Sequence, residues 1–281
     1  MGTSIDVVVS DWHELDDVLN DEIRPATAGR HHSHLAYRGV SSAAWPLQSS
    51  LKRLGGPYVA LERHLIRNFR KYAYPRVAAD TSEWELLTIA QHFGLPTRLL
   101  DWTFSPLVAL HFATWDVSVA HENAAVWMID YPALHSRLPN PLQDALNESG
   151  GNSFSTVALA RHVPTLVDFA AATGDEAMLL FEPPSMDERV VNQYAALTAA
   201  SSAGADIEHL LVDVAHPLAR RVVIPAALKP SIRDRLDQFN VTERVLFPGL
   251  DGLSAWLKRY YSPPAGASRK RGTPPIVEKH P

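Results

Sequence analysis

The sequence predicts an α+β fold, in which a single domain contains a mixed or antiparallel sheet flanked by helices. Three observations support this prediction. The 281-residue chain is 46% hydrophobic, which is enough to bury a core without covalent cross-links. Short apolar runs typical of strands alternate irregularly with segments whose apolar residues recur at helical spacing. No linker-like stretch divides the body of the chain, and no internal repeat is present.

The composition excludes several classes of protein. The chain contains no cysteine, so it is not a disulfide scaffold, an iron–sulfur protein, a thiolate zinc protein or an enzyme with a cysteine nucleophile. The formal charge of −5 disfavours a protein that binds polyanions over its whole surface. Arginine, carboxylate, histidine and amide side chains therefore remain to carry any binding or reaction.

The first half of the chain alternates predicted strands and helices. Ser10 is a suitable N-cap for the first helix, and Asp101 or Thr103 for the last helix of this half. Gly94 and Pro96 end the helix that precedes Asp101. In chain order the predictions are a strand at 5–9, a helix containing Trp12, Leu15 and Val18, a strand around Tyr37, an irregular stretch at 43–54, helices at 59–72 and 84–93, and a helix containing Leu107, Leu110 and Phe112.

The second half has a weaker pattern. Residues 132–165 are predicted to be mostly loop, because glycine and proline are frequent there. The other predictions are strands at 124–129 and 177–182, a helix or turn and then a strand within 186–198, a strand at 220–224, a helix at 229–239, a strand at 245–247 and a helix at 253–260. Residues 262–281 are basic and rich in proline, which predicts a disordered tail.

The N-terminal residues indicate a cytoplasmic protein. Residues 1–20 carry acidic side chains where a signal peptide carries basic ones, and they lack its apolar segment. No run of about 18 apolar residues occurs, so neither a membrane span nor a membrane partner is expected. The oligomeric state is left open.

Common catalytic motifs are absent from the sequence. It contains no phosphate loop of the G-x-x-x-x-G-K-[ST] type, no G-x-G-x-x-G, no G-x-S-x-G and no H-E-x-x-H. His31, His32 and His34 are closely spaced, but such a run is more often a solvated loop than a metal site. No metal is therefore predicted.

Arg38 is the most unusual residue choice, because it interrupts an apolar strand. A buried guanidinium costs desolvation energy unless an anion neutralises it. That anion is either a carboxylate, with Asp101 or Glu188 as the candidates, or a phosphate-bearing ligand, which suits the planar guanidinium. Gly39, directly after it, permits close approach of a ligand or of another backbone.

Four blocks of the sequence resemble the FRG domain family, which is named for its Phe/Tyr-Arg-Gly signature. The central block, WELLTIAQHFGLPTRLLDWTFSPLVALHFAT at 84–114, is the most specific of them. The others are YRGVSSAAWPLQSSLKR at 37–53, FEPPSMDERVVNQYAALT at 181–198 and the stretch 222–258. The resemblance covers about residues 30–261, which are assigned to this domain. Residues 1–29 form an N-terminal extension with a strand and a helix, and residues 262–281 form the tail. The resemblance implies a fold more than a reaction.

A weaker resemblance, to ADP-ribosyltransferases of the arginine–serine–glutamate type, implies a reaction with NAD and a split sheet. In that family a strand with Tyr-Arg-Gly grips the NAD phosphates, a role that falls to Arg38. The implied roles of the other residues are bracing of the site by Asp101 or Thr103, stacking on nicotinamide by Trp102 or Tyr37, and ribose binding by Gln193. Independently of this resemblance, His92 is a candidate general base because an imidazole titrates near neutral pH. Gly39, Gln91 and Arg98, in the same two unusual stretches of sequence, are candidate cofactor contacts.

The sequence departs from the ADP-ribosyltransferase pattern at two points. The serine–threonine–serine triplet is missing after Asp101, and no glutamate-x-glutamate motif accompanies Gln193. A neutral glutamine binds ribose hydroxyls but places no negative charge beside a cationic transition state. Asp187 or Glu188 is an alternative source of that charge. The resemblance therefore implies an ADP-ribosyltransferase or NAD glycohydrolase, acting as a toxin or antiphage effector on a protein or nucleic-acid acceptor.

Each candidate residue also has a purely structural interpretation. These are an ion pair of Arg38 with Asp101 or Glu188, a core position for His92 and for Trp102, an ion pair between Arg98 and Asp101, and a solvent-facing Gln193. The alternative function is a non-catalytic module that binds a nucleic acid or a protein through the same cleft. Nucleic acid is favoured within that alternative if Arg63, Arg67, Arg70 and Lys71 gather on one helix face. Hydrolysis by a pair of His92 and Asp101 is the third hypothesis.

Overall fold

A computed structural model describes residues 5–21, 23–25, 31–174, 176–212 and 218–262. The strands are β1 Asp6–Val8, β2 Ile23–Pro25, β3 His31–Ser33, β4 Leu35–Val40, β5 Leu100–Thr103, β6 Ala124–Asp130, β7 Phe154–Ser155, β8 Met178–Glu182, β9 Ala195–Ala200 and β10 Ala219–Ile224. The first helices are α1 Trp12–Asn20, α2 Ser50–Arg53, α3 Tyr58–Ala73, α4 Glu83–His92, α5 Pro106–Thr114, α6 Tyr131–His135 and α7 Asn140–Ser149. The remaining helices are α8 Thr156–His162, α9 Leu166–Thr173, α10 Glu188–Asn192, α11 Ile207–Leu211, α12 Lys229–Gln238, α13 Glu243–Leu246 and α14 Leu250–Tyr260.

One eight-stranded mixed sheet organises the fold. Its strand order is β1-β10-β6-β4-β5-β9-β8-β7, and β2 and β3 form a separate hairpin. The two edge pairs, β1 with β10 and β7 with β8, are parallel, and the pairs between them are antiparallel. The predicted α+β domain with a mixed sheet is confirmed. None of the helices in the described part of the chain is long and apolar enough to cross a bilayer.

The two central strands of the sheet, β4 and β5, are joined by the fewest residue pairs. β4 pairs with β6 at six positions, but with β5 only through Tyr37 and Thr103. Beyond this pair the two strands diverge, so the residues after Tyr37 and before Thr103 are not joined by ladder hydrogen bonds. This junction is the feature of the fold closest to the split sheet that was expected, and it opens the site.

Helices cover both faces of the sheet and bury three apolar clusters. The first cluster joins α1, α5 and α12 to β4, β6 and β10, and includes Leu15, Tyr37, Ala109, Val126 and Leu236. The second joins α6 and α11 to the opposite face, and includes Ala36, Trp102, Trp127, Leu134 and Ile207. The third joins α4, α7, α8 and α9 to β8 and β9, and includes Trp84, Leu142, Leu159, Phe169 and Phe181.

Gly39 is required by the packing of α5 across β4. A Cβ atom at this position would lie 1.9 Å from the backbone oxygen of Ala109 and 2.6 Å from the backbone nitrogen of Ala113. The sequence allows close approach of either a ligand or another backbone at Gly39. The structure shows that the backbone of α5 approaches it. Tyr37 lies on the same face, and its hydroxyl donates to the backbone oxygen of Leu19 at 2.9 Å. Because side chains alternate along a strand, Arg38 points to the other face.

The prediction of a loop-rich 132–165 is wrong, because α6, α7, β7 and α8 occupy much of it. Its prolines begin helices instead of breaking them: Pro132 and Pro141 lie in the first turns of α6 and α7, where a missing N–H is tolerated. Gly150, with φ of 70°, ends α7. In this segment proline and glycine therefore mark the ends of helices and not loops.

Other local predictions also need correction. Asp11, not Ser10, caps α1, and Ser105 caps α5, because Asp101 and Thr103 belong to β5. Residues 245–247 were predicted as a strand, but α13 includes the first two of them. The stretch predicted to be irregular, 43–54, contains the short helix α2. The predicted tail lies outside the described residues, except for residue 262.

A buried ionic network fixes the C-terminal helices. Arg233 on α12 donates to Glu243 Oε1 at 2.7 Å and to His111 Nδ1 on α5 at 3.0 Å. Arg259 on α14 donates to both oxygens of Glu243 and to both oxygens of Asp237. Burial, reinforced by the charge of Arg233, lowers the pKa of His111 to about 3, so this imidazole is neutral in the fold. The network holds α13 and α14 against the rest of the domain.

We expect acid to destabilise the fold through its buried neutral histidines. His135 bonds through Nδ1 to the backbone oxygen of Asn152 and accepts through Nε2 from the backbone N–H of Leu180, each at 3.0 Å. Burial lowers its pKa from 6.5 to about 4. Between these two pH values the unfolded chain therefore binds a proton that the native state does not bind. The stability that depends on neutral His135 is complete above about pH 6.5 and is lost as the pH falls towards 4.

Urea unfolding between about pH 7 and about pH 5 measures this effect, which is about 2 kcal/mol for one such histidine. His135→Gln removes this share of the acid sensitivity, at the expense of some stability at neutral pH. The exposed His162→Gln is the matched control and leaves the pH dependence as it is. An unchanged pH dependence in His135→Gln would contradict the assignment of a buried neutral imidazole.

We also expect Gly39→Ala to destabilise the protein by more than about 2 kcal/mol, because the added methyl group meets backbone atoms that cannot rotate away. Gly151→Ala is the control, since its Cβ would find its nearest atom at 3.6 Å. Thermal and urea unfolding compare the two variants. Equal stability of the two would show that α5 does not pack against β4 at Gly39.

Candidate functional site

A cleft of about 720 Å³ opens where β4 and β5 diverge. Its floor is formed by β4 and β5, and its walls by the end of α4, by α10 and by the segment from Trp45 to Arg53. The end of α5 closes one side with Phe112 and Trp115. The residues that line the cleft come from four separate stretches of the chain, within 37–53, 88–95, 101–115 and 183–197.

Arg38 lies in this cleft with its charge only partly neutralised. Its Nη1 donates to the backbone oxygen of Asp101 at 2.6 Å, while the nearest carboxylate oxygen of Asp101 is 3.9 Å away. Its side chain is 18% exposed, and its Nε is buried without a hydrogen-bond partner among the described residues. Burial lowers the pKa of Arg38, Asp101 acts in the opposite direction, and Arg53 lowers it further. An incoming anion would relieve this incomplete solvation.

Asp101 supplies an exposed and oriented carboxylate beside Arg38. Its side chain is 68% exposed, and its Oδ1 accepts a hydrogen bond of 3.0 Å from Gln91 Nε2. The amide oxygen of Gln91 accepts from the Thr97 hydroxyl, which fixes the direction of the amide group. Gln91 therefore acts as a positioning residue for Asp101.

His92 also reaches the cleft, but its partner is a different carboxylate. Its Nε2 lies 2.8 Å from Asp187 Oδ2, and Asp187 is the N-cap of α10. The side chain of His92 is mostly buried, and its ring meets Phe93 edge-on. The histidine–carboxylate pair in this structure is thus His92 with Asp187, not His92 with Asp101.

Gln193 lines the cleft opposite Arg38, at the C-terminal end of α10. Its Nε2 donates to the backbone oxygen of Leu246 on α13 at 2.9 Å. Its own backbone oxygen accepts from the Thr103 hydroxyl at 2.6 Å. Thr103 is buried and bonded in this way, so it acts as a structural link between β5 and α10.

Two predicted stacking residues have no ring face free for a ligand. Trp102 borders the cleft, but it is 2% exposed, and its indole N–H donates to Thr198 Oγ1 at 3.0 Å. Tyr37 is equally buried in the cluster beneath α1 and α5. Both are core residues, which corrects the expectation that one of them stacks on nicotinamide.

Arg98 was expected to contact a cofactor or to pair with Asp101, but its ion-pair partner is a different carboxylate and it is not among the residues that line the cleft. It forms a two-pronged ion pair with the buried Glu62 of α3, through Nε and Nη2. Its Nη1 donates to the backbone oxygens of Ala200 and Ser201 at 3.1 and 2.7 Å. Arg98 therefore joins α3 to the end of β9 and does not line the cleft.

The structure adds cleft residues that sequence reasoning missed as site residues. Arg53 and Arg189 bring two further guanidinium groups, and Trp45 and Trp115 bring aromatic rings that are 44% and 46% exposed. Arg189 lies over the Phe247 ring at 5.1 Å. A signal for Arg189 was its place four residues before Gln193 in one of the resembling blocks, and Arg53 ends another such block. Trp115 lies outside the four blocks.

The charge of the cleft is opposite to that of the whole chain. The described residues that line it include three guanidinium groups, those of Arg38, Arg53 and Arg189, but only one carboxylate, that of Asp101. Aromatic rings and the amides of Gln48, Gln91 and Gln193 complete the lining. Such a set suits a ligand that combines phosphate groups with flat rings. The described residues contain no group of three histidine, aspartate or glutamate side chains arranged to hold a metal ion.

Comparison with protein families supports part of the sequence resemblance. Residues 33–122 match the family model of the FRG domain. The match includes Arg38, Arg53, Gln91 and Asp101, whereas Arg189 and Gln193 lie beyond it. It does not extend to the ADP-ribosyltransferases. No curated protein and no solved structure is significantly similar to the chain.

We expect the two buried arginines to differ in their effect on stability. Arg98→Met leaves Glu62 buried without a partner, and loss of one member of a buried pair costs about 3–5 kcal/mol. Arg38→Met removes a desolvated guanidinium whose Nε is unpaired, so the free energy of unfolding is expected to stay within about 0.5 kcal/mol or to rise. Urea unfolding measures both. A similar large loss in the two variants would make Arg38 a structural residue.

Proposed function

We propose that this chain, whose residues 33–122 match the FRG domain family, binds NAD or a closely related nucleotide in the cleft and breaks its nicotinamide–ribose bond. ADP-ribose then passes to a macromolecule or, by hydrolysis, to water. One observation carries the proposal: Arg38 keeps an unpartnered, buried Nε in an open cleft, beside the oriented carboxylate of Asp101.

Arg38, together with Arg53 and Arg189, suits the diphosphate of the ligand. Guanidinium groups bind phosphate oxygens through paired, charge-assisted hydrogen bonds, which a single lysine does not reproduce. Because Arg53 lowers the pKa of Arg38, the two positive charges act on each other. A bound diphosphate would neutralise both, so its binding relieves the repulsion as well as the desolvation of Arg38.

The aromatic rings of the cleft suit the bases of a dinucleotide. Trp45 and Trp115 are each about half exposed and come from different segments of the lining. Trp115 is stacked on Phe247, with ring centres 5.8 Å apart. This stacking holds it in place. Trp45 and Trp115 replace Tyr37 and Trp102 as the candidates for stacking on adenine or nicotinamide.

Asp101 is the residue to which we assign charge stabilisation in the reaction. The bond between ribose C1′ and the nicotinamide nitrogen breaks, its electron pair leaves with nicotinamide, and the ribose becomes cationic. A hydroxyl group of the acceptor, or of water, then forms a new bond to C1′ and loses its proton. The carboxylate of Asp101 stabilises the cation, as a well-placed charge does in preorganised sites, where loss of one such group costs about 10²–10³ in rate.

Gln193 and His92 have secondary roles in this proposal. The amide of Gln193, anchored on Leu246, binds the ribose hydroxyls without contributing a charge. His92, oriented by Asp187, accepts the proton released by the attacking hydroxyl. Consumption of NAD, or modification of a nucleic acid or protein acceptor, suits a toxin or an antiphage effector.

Incubation of the purified protein with NAD, followed by chromatography of released nicotinamide, tests the proposal. We expect release by the wild type, and a loss of at least about 100-fold in Asp101→Asn with NAD binding retained. Arg38→Met is expected to lower NAD affinity at least about 10-fold, measured by calorimetry, because a desolvated charge-assisted contact is lost. Arg161→Met, on the exposed end of α8, is the control and changes neither quantity.

Two results would contradict the proposal. One is the absence of both nicotinamide release and a thermal shift with NAD. The other is binding that does not depend on Arg38. If NAD has no effect while Arg38→Met weakens binding of an oligonucleotide or a peptide, the cleft belongs to the non-catalytic binding module that the sequence left as the alternative.

A further inference from the structure

Helix α3 carries a basic face that the proposed reaction does not use. The α3 basic face consists of Arg63, His64, Arg67 and Lys71, all of which are exposed. Arg63, Arg67 and Lys71 are spaced four residues apart, so they lie in one row along the helix. Ile66 points the other way and packs against the apolar cluster under α4. The row thus faces solvent over about 12 Å, from Arg63 to Lys71.

The charges of the α3 basic face are not neutralised within the protein. Glu62 is the one acidic residue of α3, and it is buried in its ion pair with Arg98. Over the described residues, Arg63, Arg67 and Lys71 form no salt bridge. Like charges four residues apart destabilise a helix. In a chain of net charge −5, such a row is a local exception that a bound polyanion would explain.

Arg70 does not belong to this face. It is half-buried, and its Nη1 donates to the backbone oxygens of Thr81 and Ala79 at 2.9 and 3.4 Å. Of the four cations named in the sequence analysis, three therefore gather in the row, and the fourth supports the loop between α3 and α4. His64, next to Arg63 in the sequence, is also exposed and lies beside the row.

Exposed aromatic rings lie at the C-terminal end of the α3 basic face. Tyr72 is 75% exposed and Tyr74 is 71% exposed, and Lys71 Nζ lies 5.1 Å from the centre of the Tyr72 ring. Rings beside a row of cations are the combination that binds single-stranded nucleic acids, because bases stack on the rings while cations follow the phosphates. Paired bases in a duplex are not available for such stacking.

The N-terminal end of α3 leads back to the cleft. α2 ends at Arg53, which lines the cleft, and four residues separate it from the start of α3 at Tyr58. The α3 basic face and the cleft are therefore close along the chain at this end of α3. A lipid surface fits less well, since Ile66 packs against the apolar cluster under α4 and is not free to enter a bilayer.

We propose that the α3 basic face docks a single-stranded nucleic acid. This goes beyond the NAD chemistry, because docking needs neither Arg38 nor Asp101. If the proposed transfer holds, the docked strand is also the macromolecular acceptor. The row provides about three phosphate contacts, so the logarithm of the binding constant should fall with the logarithm of salt concentration with a slope of about −2.

Fluorescence anisotropy of a labelled single-stranded RNA, with the full-length protein, tests the docking. We expect Arg67→Glu/Lys71→Glu to weaken binding at least about 10-fold at low salt and to flatten the salt dependence. Arg161→Glu/Lys258→Glu changes the net charge equally at exposed sites on α8 and α14, and is expected to bind like the wild type. Tyr72→Ala is expected to weaken binding several-fold without changing the salt slope.

The outcomes separate this proposal from the proposed function. Equal weakening in the two double variants would show that net charge, not the α3 basic face, drives binding, and would overturn the proposal. So would binding that needs Arg38 but not Arg67 and Lys71, or equal preference for a duplex or for anionic lipid vesicles. Retained NAD binding in Arg67→Glu/Lys71→Glu confirms that this variant is folded, whereas failure of NAD binding in the wild type concerns the cleft alone.

Discussion

The hydrogen bond from Arg38 to the backbone oxygen of Asp101 spans the point where the central sheet nearly divides. It crosses the gap beyond Tyr37 and Thr103, where β4 and β5 form no further ladder pairs. The guanidinium of Arg38 thus bonds to β5 through Nη1, while its Nε is buried without a hydrogen-bond partner among the residues described. The proposed binding of an anion in the cleft depends on this incomplete hydrogen bonding of a desolvated guanidinium.

The surrounding structure holds the cleft open on both sides. On one face, α5 approaches β4 so closely at Gly39 that no side chain fits, which leaves Arg38 to point the other way. On the far wall, the amides of Asn192 and Gln193 donate to backbone oxygens of α13. The network around Glu243 fixes α13 in turn. The residues that would touch a ligand therefore stand on elements anchored in the core.

Much of the fold could be predicted from periodicity, and the errors share a physical cause. Strands such as β6 and helices such as α3 have strong patterns and were placed within a few residues. The helices within 132–165 were missed because proline and glycine were taken as breakers, whereas Pro132 and Gly150 mark helix ends. The caps shifted because Asp101 and Thr103 belong to a strand whose pairing is set by tertiary contacts with β9.

The site shows a similar division. Arg38, Asp101 and Gln193 meet in one cleft, as was expected, and Gln91 also lines it. The partner of Arg98 could not be predicted, because Glu62 lies on a helix that only the folded chain brings close. Likewise, the exposure of an aromatic ring depends on packing, so the buried Trp102 and the exposed Trp115 looked alike in the sequence.

The central claim is that the incompletely hydrogen-bonded guanidinium of Arg38 binds an anionic ligand in the cleft. The most direct test is the heteronuclear NMR spectrum of arginine side-chain Nε–H groups, with the Arg38 signal assigned from Arg38→Met, during titration with ADP-ribose. The account predicts a saturable downfield shift of the Arg38 Nε–H signal, while that of Arg98, already bonded to Glu62, stays in place. An Arg38 signal that does not move at saturating ADP-ribose, or that moves no more than the Arg98 signal, would contradict it.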